Sequence, residues 1–397
     1  MAWVLLTLGA LAACGSAQQG GREAAAGLGS GAGEVAGPVE LERAAESPEE
    51  DVVSALQEPA AAELPAPLVD PDALVSGGPP PDGIPAIDEP LFHRASSATW
   101  IGADEPVLSL EVNGEARAYP VAVLIWHEIV NDTIAGVPVA VTYCPLCNSA
   151  ITFERQVGDR VLSFGTSGLL YQSALVMYDR QTESLWSQLE LGAVAGVLAG
   201  TRLETIPTQT VAWSDFVAAH PDAWVLSDRT GFNRPYGSNP YVGYDDVDTD
   251  PFLFDGSVPP ALPAKARVVG LGGNADPVAV PLDRLVEERV ITEEVDGRDV
   301  ALWLQPGLRS PLDTEELSEG REIGAVAVFE PRWDGQALTF RTGGDGEFVD
   351  EQTGSTWNVL GQAVAGPAAG AQLMPVEHVD TFWFAWSAFR PDTRLAL

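Results

Sequence analysis

The chain has 397 residues, with 57 acidic against 21 basic side chains, a formal net charge of −36 and a single lysine, Lys265. A field of that sign repels nucleic acid and anionic surfaces and attracts cations, so nucleic acid is excluded as a partner. Beyond an Ala/Gly/Glu/Pro-rich start, about 300 residues remain, enough for two domains of ordinary size. Residues 2–13 form an apolar run too short to span a bilayer, which takes about 20 residues, but of the length of a signal-peptide core. Leu11-Ala12-Ala13-Cys14 has the form of a bacterial lipobox, although no Lys or Arg precedes the run. Residues 1–14 are therefore expected to be a lipoprotein signal peptide with Cys14 lipidated. The expected partner is the lipid bilayer, and the expected location is extracytoplasmic, lipid-anchored to the cell membrane, where disulfides persist.

Residues 15–99 carry 15 acidic and 3 basic residues, and up to Pro85 almost no aromatics. They predict a disordered, self-repelling acidic tether, because so little apolar surface cannot offset ordering entropy.

The remainder is written twice. Ala118 to Val141 aligns without gaps onto Ala279 to Leu302, with Leu124 on Leu285 and Gly136 on Gly297. Asp179-Arg180-Gln181-Thr182-Glu183-Ser184-Leu185-Trp186 answers Asp350-Glu351-Gln352-Thr353-Gly354-Ser355-Thr356-Trp357, and His220-Pro221-Asp222 answers Arg390-Pro391-Asp392. This predicts two similar lobes, 100–227 and 266–397, joined by a connector, 228–265, rich in Gly, Pro, Asp and aromatics. Two copies are too few for a solenoid. Positions shared by both copies are expected to be scaffold, and those present in one copy are candidates for chemistry.

Strand signals dominate. Leu108 to Val112 and Ala116 to Tyr119 flank Asn113-Gly114, a two-residue hairpin turn. Val137 to Tyr143 is a β-branched strand, and strands at Ile151–Glu154, Val161–Phe164 and Ala174–Tyr178 follow. One helix is expected from Val121 to Val130, opened by Pro120 at its first position, and another from Val211 to Ala219. Gly165-Thr166-Ser167-Gly168 is expected to be a hairpin turn. The fold class is α+β, β-dominated, each lobe a small curled sheet or barrel with edge helices.

Apart from Cys14, the only cysteines are Cys144 and Cys147, in Tyr143-Cys144-Pro145-Leu146-Cys147-Asn148-Ser149. They fall opposite the Gln305–Gly307 stretch of lobe two, and His127 falls opposite Glu288, so these residues belong to lobe one alone. A thioredoxin-type pair places its first Cys at a helix N-terminus. Here strands flank the motif, and Pro145 holds Cys144 extended. Structural zinc wants four closed ligands, and no second thiolate pair exists. Haem attachment fails because Asn148, not His, follows Cys147. A Rieske cluster needs paired Cys and His motifs that are absent. A soft or transition metal, copper before zinc, could be held by Cys144 and Cys147 with His127, and with Met177 as a further candidate ligand. Against this stand a helix-end hydrogen bond for His127, core filling for Met177 and a structural disulfide for the pair. His220, replaced by Arg390 in lobe two, is expected to act as a cation at a helix C-terminus.

Trp126-His127-Glu128, the run Tyr143-Cys144-Pro145-Leu146-Cys147-Asn148-Ser149-Ala150, Leu175 to Arg180 and Ser184-Leu185-Trp186 together resemble the DUF3179 family of bacterial extracytoplasmic proteins. The resemblance covers lobe one closely and, through the degenerate repeat, most of residues 100–397. It implies no assigned activity, so the functional expectation rests on chemistry. That expectation is a metal-binding lipoprotein, with a thiol-disulfide oxidoreductase or redox sensor as the alternative and a non-enzymatic binding module as the second.

Overall fold

The computed structural model describes residues 48–49, 51–273, 275–344 and 346–397. The signal run, Cys14 and the tether up to residue 47 lie outside the described residues.

Lobe one comprises β1 (Leu74–Ser76), β2 (Phe92–Arg94), β3 (Pro106–Val112), β4 (Glu115–Pro120), α1 (Val121–His127), β5 (Ile129–Ile134), β6 (Val137–Cys144) and β7 (Ser149–Glu154). A short hairpin follows, β8 (Gln156–Val157) and β9 (Arg160–Val161). Then come β10 (Phe164–Tyr171), β11 (Ala174–Asp179), β12 (Leu185–Ser187), β13 (Gly192–Ala195), β14 (Thr205–Ile206), β15 (Gln209–Ala212), α2 (Trp213–Ala219) and β16 (Trp224–Leu226). They build three sheets, in the orders β15-β3-β4-β16-β2, β14-β7-β6-β5 and β1-β10-β11-β12-β13.

Lobe two comprises β17 (Arg267–Leu271), β18 (Val278–Pro281), α3 (Leu282–Glu288), β19 (Val290–Val295), β20 (Arg298–Gln305) and β21 (Ala325–Phe329). After the hairpin β22 (Arg332–Trp333) and β23 (Gln336–Ala337) come β24 (Phe340–Thr342), β25 (Phe348–Asp350), β26 (Thr356–Trp357), β27 (Ala363–Ala365), β28 (His378–Phe382), α4 (Trp383–Phe389) and β29 (Arg394–Leu395). Its sheets run β28-β17-β18-β29, β19-β20-β21 and β24-β25-β26-β27. The connector between β16 and β17 holds neither strand nor helix among its described residues.

Strands dominate, as expected, and the four helices of the described residues have seven residues each. None of the sheets of the described residues closes on itself, so the barrel alternative gives way to open sheets. Their edges are covered instead. Ile87 exchanges backbone hydrogen bonds with Ile129 and Asn131 along β5, and Leu68 donates to Val194 of β13, which protects strand edges as well as closure would.

Those covering residues correct the tether. From Asp51 onward the expected tether is folded: β1 pairs with β10, β2 pairs with β16, and Ala55 and Leu64 pack on Val176, Tyr178 and Leu185. Its apolar residues are too sparse to form a core of their own, but they suffice to finish a neighbour's.

The Asn113-Gly114 turn forms as expected, with φ of 50° and 81°, the two positive values a type I′ hairpin requires. The first helix is shorter than expected. Pro120 caps it from the end of β4, and it stops at His127 because Glu128 turns left-handed at φ 58° and Ile129 begins β5. Gly165 to Gly168 lie inside β10, where the register slips between Thr166 and Leu169, rather than in a turn. A Cβ on Gly168 would sit 2.1 Å from the Pro79 carbonyl oxygen, so the bulge needs glycine to admit the N-terminal segment.

The two halves of the folded chain share their cores. Phe382, Phe384, Ala385 and Phe389 of lobe two complete the apolar cluster around α1 and β6, while Trp303, Phe329 and Trp357 share a cluster with Val107, Val211 and Phe216. Asp179 accepts from the Thr182 N–H at 2.6 Å, the Thr182 hydroxyl and the Trp186 indole. Asp350 accepts from Thr353 and Trp357 in the same way, so both aspartates are scaffold.

Candidate functional site

The cysteine motif is a four-residue hairpin loop between β6 and β7, closed by the Cys144–Ser149 pair. Asn148 takes φ 52° and donates its N–H to Pro145 at 3.2 Å. The strand setting read from the sequence is therefore present, and no helix begins at the motif. Lobe two holds the loop from the far end of the chain: the Cys147 carbonyl accepts from the Thr381 hydroxyl at 2.8 Å and the Phe382 N–H at 3.0 Å. Behind it, the Gln188 amide bridges Ser149 and Thr142.

Both cysteines are free thiols and both are buried. Burial pushes the Cys147 thiol well up, reinforced by its hydrogen bond with Cys144 and by the charges of Cys144 and Glu128. This is the reverse of what a thiolate nucleophile needs.

His127 is satisfied. Its Nδ1 lies 2.7 Å from the Pro85 carbonyl and its Nε2 2.6 Å from the Tyr236 hydroxyl. A carbonyl only accepts, so Nδ1 carries the proton and Nε2 accepts from Tyr236. Burial lowers its pKa, which keeps the ring neutral. Met177 is fully buried on β11, between Thr166 and Trp186 of the neighbouring strands. It shares an apolar cluster with both cysteines and fills core. Among the described residues no group of three or more His, Cys, Asp or Glu is arranged to hold a metal, and His127 is not gathered with the cysteines. His220 caps α2, but burial depresses its pKa, so it is neutral there rather than a cation.

The residue that sequence reasoning passed over is the next one, Glu128. Its N–H donates to Leu124 at 2.7 Å and its carbonyl accepts from Tyr143 at 2.9 Å, which fixes a non-glycine residue in the left-handed region. Such a conformation costs on the order of 1 kcal/mol and persists only where its surroundings over-determine it. The residue is 9% exposed, and its carboxyl, perturbed by burial alone, has no hydrogen-bond partner among the described residues. It borders a cavity of about 300 Å³. Gly77, Pro79 and Ile84 of the N-terminal segment form one wall, and Leu146, Leu169 and Leu175 a second. Tyr241, Tyr244 and Phe252 of the connector form the third. Burial alone pushes the Glu128 carboxyl up to about 7.

The connector is pinned where it meets this cavity. The only lysine, Lys265, is buried, donates to the Tyr244 carbonyl at 2.7 Å and to the Thr249 hydroxyl, and lies 4.4 Å from the Tyr244 ring centroid. Ser173 donates to the Phe252 carbonyl at 2.5 Å. Asp82 of the N-terminal segment accepts from the Tyr178 hydroxyl and pairs with Arg180 at 3.2 Å. A comparison of the lobes was the signal that could have found Glu128, since Arg289 stands at the matching left-handed position after α3.

Fold and site together define a β-dominated protein of several small sheets, with a buried carboxyl at an apolar cavity and the loop that carries two buried thiols lending Leu146 to its wall. The chain belongs to the family described as "Protein of unknown function (DUF3179)", whose model matches residues 81–393, from Asp82's strand-covering segment to the end of lobe two. No curated protein and no solved structure matches the chain.

Proposed function

We propose that this is an extracytoplasmic, lipid-anchored binding protein. In this reading the cavity over Glu128 takes a small, largely apolar molecule with one hydrogen-bonding group, and Glu128 exchanges a proton with it. The observation that carries the reading is a buried carboxyl without a partner, facing a cavity, with a midpoint of about 7. A carboxyl poised near neutrality serves equally as proton donor and acceptor, which is the property tuned in acid–base sites. Apolar walls with a single convergent polar group are the usual make-up of a small-molecule pocket. The anchor rests on the run 2–13 and Cys14. Duplication of an ancestral lobe is supported by the matched sheet orders and matched Asp–Thr–Trp turns, and it leaves Glu128, Cys144 and Cys147 in one copy.

A phenol probe tests the site. 4-Fluorophenol, followed by fluorine NMR, should bind more tightly as pH rises through about 7, because its O–H donates to the ionised carboxylate. Glu128→Gln should abolish that pH dependence and weaken binding about tenfold. A wild-type affinity that is flat across this range defeats the reading.

A second reading is supported by the paired reduced thiols, buried in one apolar core with Met177. It is a monovalent copper ion held by the Cys144 and Cys147 sulfurs, soft ligands for a soft ion. Zinc is less well supported, since it wants four ligands. Copper content of protein purified without an affinity tag should fall in Cys144→Ser, and an unchanged content removes the reading. Thiol–disulfide exchange is the least supported, given the elevated Cys147 thiol.

A further inference from the structure

A second cavity, of about 350 Å³, opens where lobe one meets lobe two, away from Glu128 and the cysteines. Arg202 and Arg390 are both in its walls. In a chain with so few basic residues, two guanidinium groups at one cavity without a carboxylate between them call for a reason. Arg390 is 6% exposed. It donates to two carbonyls, Phe389 at 2.8 Å and Leu189 at 3.3 Å, while its Nε is buried with no partner at all. Neither arginine forms an ion pair among the described residues. Burying a cation without a counter-ion is strongly unfavourable, and proteins normally avoid it by pairing.

Carboxylates do share the walls, namely Asp296, Glu330 and Glu377, but Glu330 pairs with Arg298 at 3.2 Å. The charges that Arg390 feels are those of Glu190 and Arg202, and none of these three. Glu190 acts on Arg390 from outside the cavity walls and is opposed by Arg202, so no carboxylate is bonded to either arginine where they face the cavity. His378 also borders the cavity, its Nδ1 bonded to the Val376 carbonyl at 3.0 Å. The remaining surface beside the arginines is apolar: Leu189, Trp386 and Phe389.

We infer that this cavity is a binding site for a small organic carboxylate with an apolar or aromatic body. Its carboxylate lies between Arg202 and Arg390, and its body lies against Leu189, Trp386 and Phe389. A planar guanidinium matches a carboxylate in two parallel hydrogen bonds, and the apolar wall supplies the burial that a bare inorganic anion could not use. The cavity has the volume of a small-ligand pocket.

The test uses the full chain with 4-fluorobenzoate and its neutral counterpart 4-fluorobenzamide, followed by fluorine NMR. Wild type should prefer the acid at least tenfold. Arg202→Ala, at the exposed rim, should erase that preference without affecting the fold. Arg390→Met should erase it too, while tolerating the loss of a buried unpaired charge. Glu128→Gln should leave it intact, which separates this site from the cavity over Glu128. Equal binding of acid and amide, no binding of the acid at millimolar concentration, or a preference that survives Arg202→Ala overturns the inference.

Discussion

Replacing Glu128 by glutamine removes an ionisable proton while keeping the shape of the side chain, so it isolates the energetic consequence of burying that carboxyl. The carboxyl's midpoint moves from 4.5 in the unfolded chain to about 7 in the fold. Because the folded value is the higher one, the folded state holds the proton longer, and stability falls as pH rises from about 4.5 to about 7. Below that window both states are protonated and nothing is lost. Above it the full penalty applies, about 3 kcal/mol for a displacement of this size. The uncharged amide of the Glu128→Gln variant carries no such penalty. Urea unfolding of both proteins across the range should therefore give equal stabilities near pH 4. The variant should gain progressively until it leads by about 3 kcal/mol near pH 8. A difference that does not depend on pH, or a variant less stable than wild type at pH 8, would refute the assignment of a buried, unpaired carboxyl.

Thr381→Val deletes one of the two hydrogen bonds to the Cys147 carbonyl; stability should drop about 1 kcal/mol and thiol labelling of the native protein should quicken. An unchanged labelling rate counts against a clamp from lobe two. Asp179→Asn and Asp350→Asn each leave donors of a Thr–Trp turn short of an acceptor, so each should cost about 2 kcal/mol in denaturant unfolding. Grossly unequal losses would show that the two turns do not serve the same purpose. Met177→Leu conserves volume in a packed core, so it should cost under about 1.5 kcal/mol and leave any copper content untouched. A loss of copper in that variant would make Met177 a ligand after all.

The parts of the fold that were legible are those in which local chemistry decides. Asn113-Gly114 can hardly be anything but a hairpin turn, and the β-branched run to Tyr143 delivers the cysteines to a loop whatever surrounds it. The misreadings have a common physical origin, which is packing between distant segments. Residues 51–99 are polar and sparse on their own terms, and pairing with β5, β10, β13 and β16 makes them ordered. Gly165 and Gly168 look like turn residues, yet they are needed because Asp82 and Pro79 press against β10. The helix expected to reach Val130 stops at His127, since the closing bond to Leu124 and the tertiary bond from Tyr143 hold Glu128 left-handed against its own preference. His127 and Met177 draw attention as metal-ligand side-chain types, whereas burial makes the ordinary-looking Glu128 the unusual one.

The hold of Thr381 and Phe382 on Cys147 has a consequence for how the molecule is assembled. The wall of the Glu128 cavity begins at Gly77, while the bonds that fix its cysteine loop come from residues 381 and 382. Synthesis therefore delivers the first wall long before the last fastening, and contacts of that span are slow to form. No fragment containing lobe one alone would carry the finished site. A ribosome-bound chain, or one clipped near its C-terminus, would present Cys144 and Cys147 unfastened. Both thiols would then be open to oxidation until the C-terminal segment arrives.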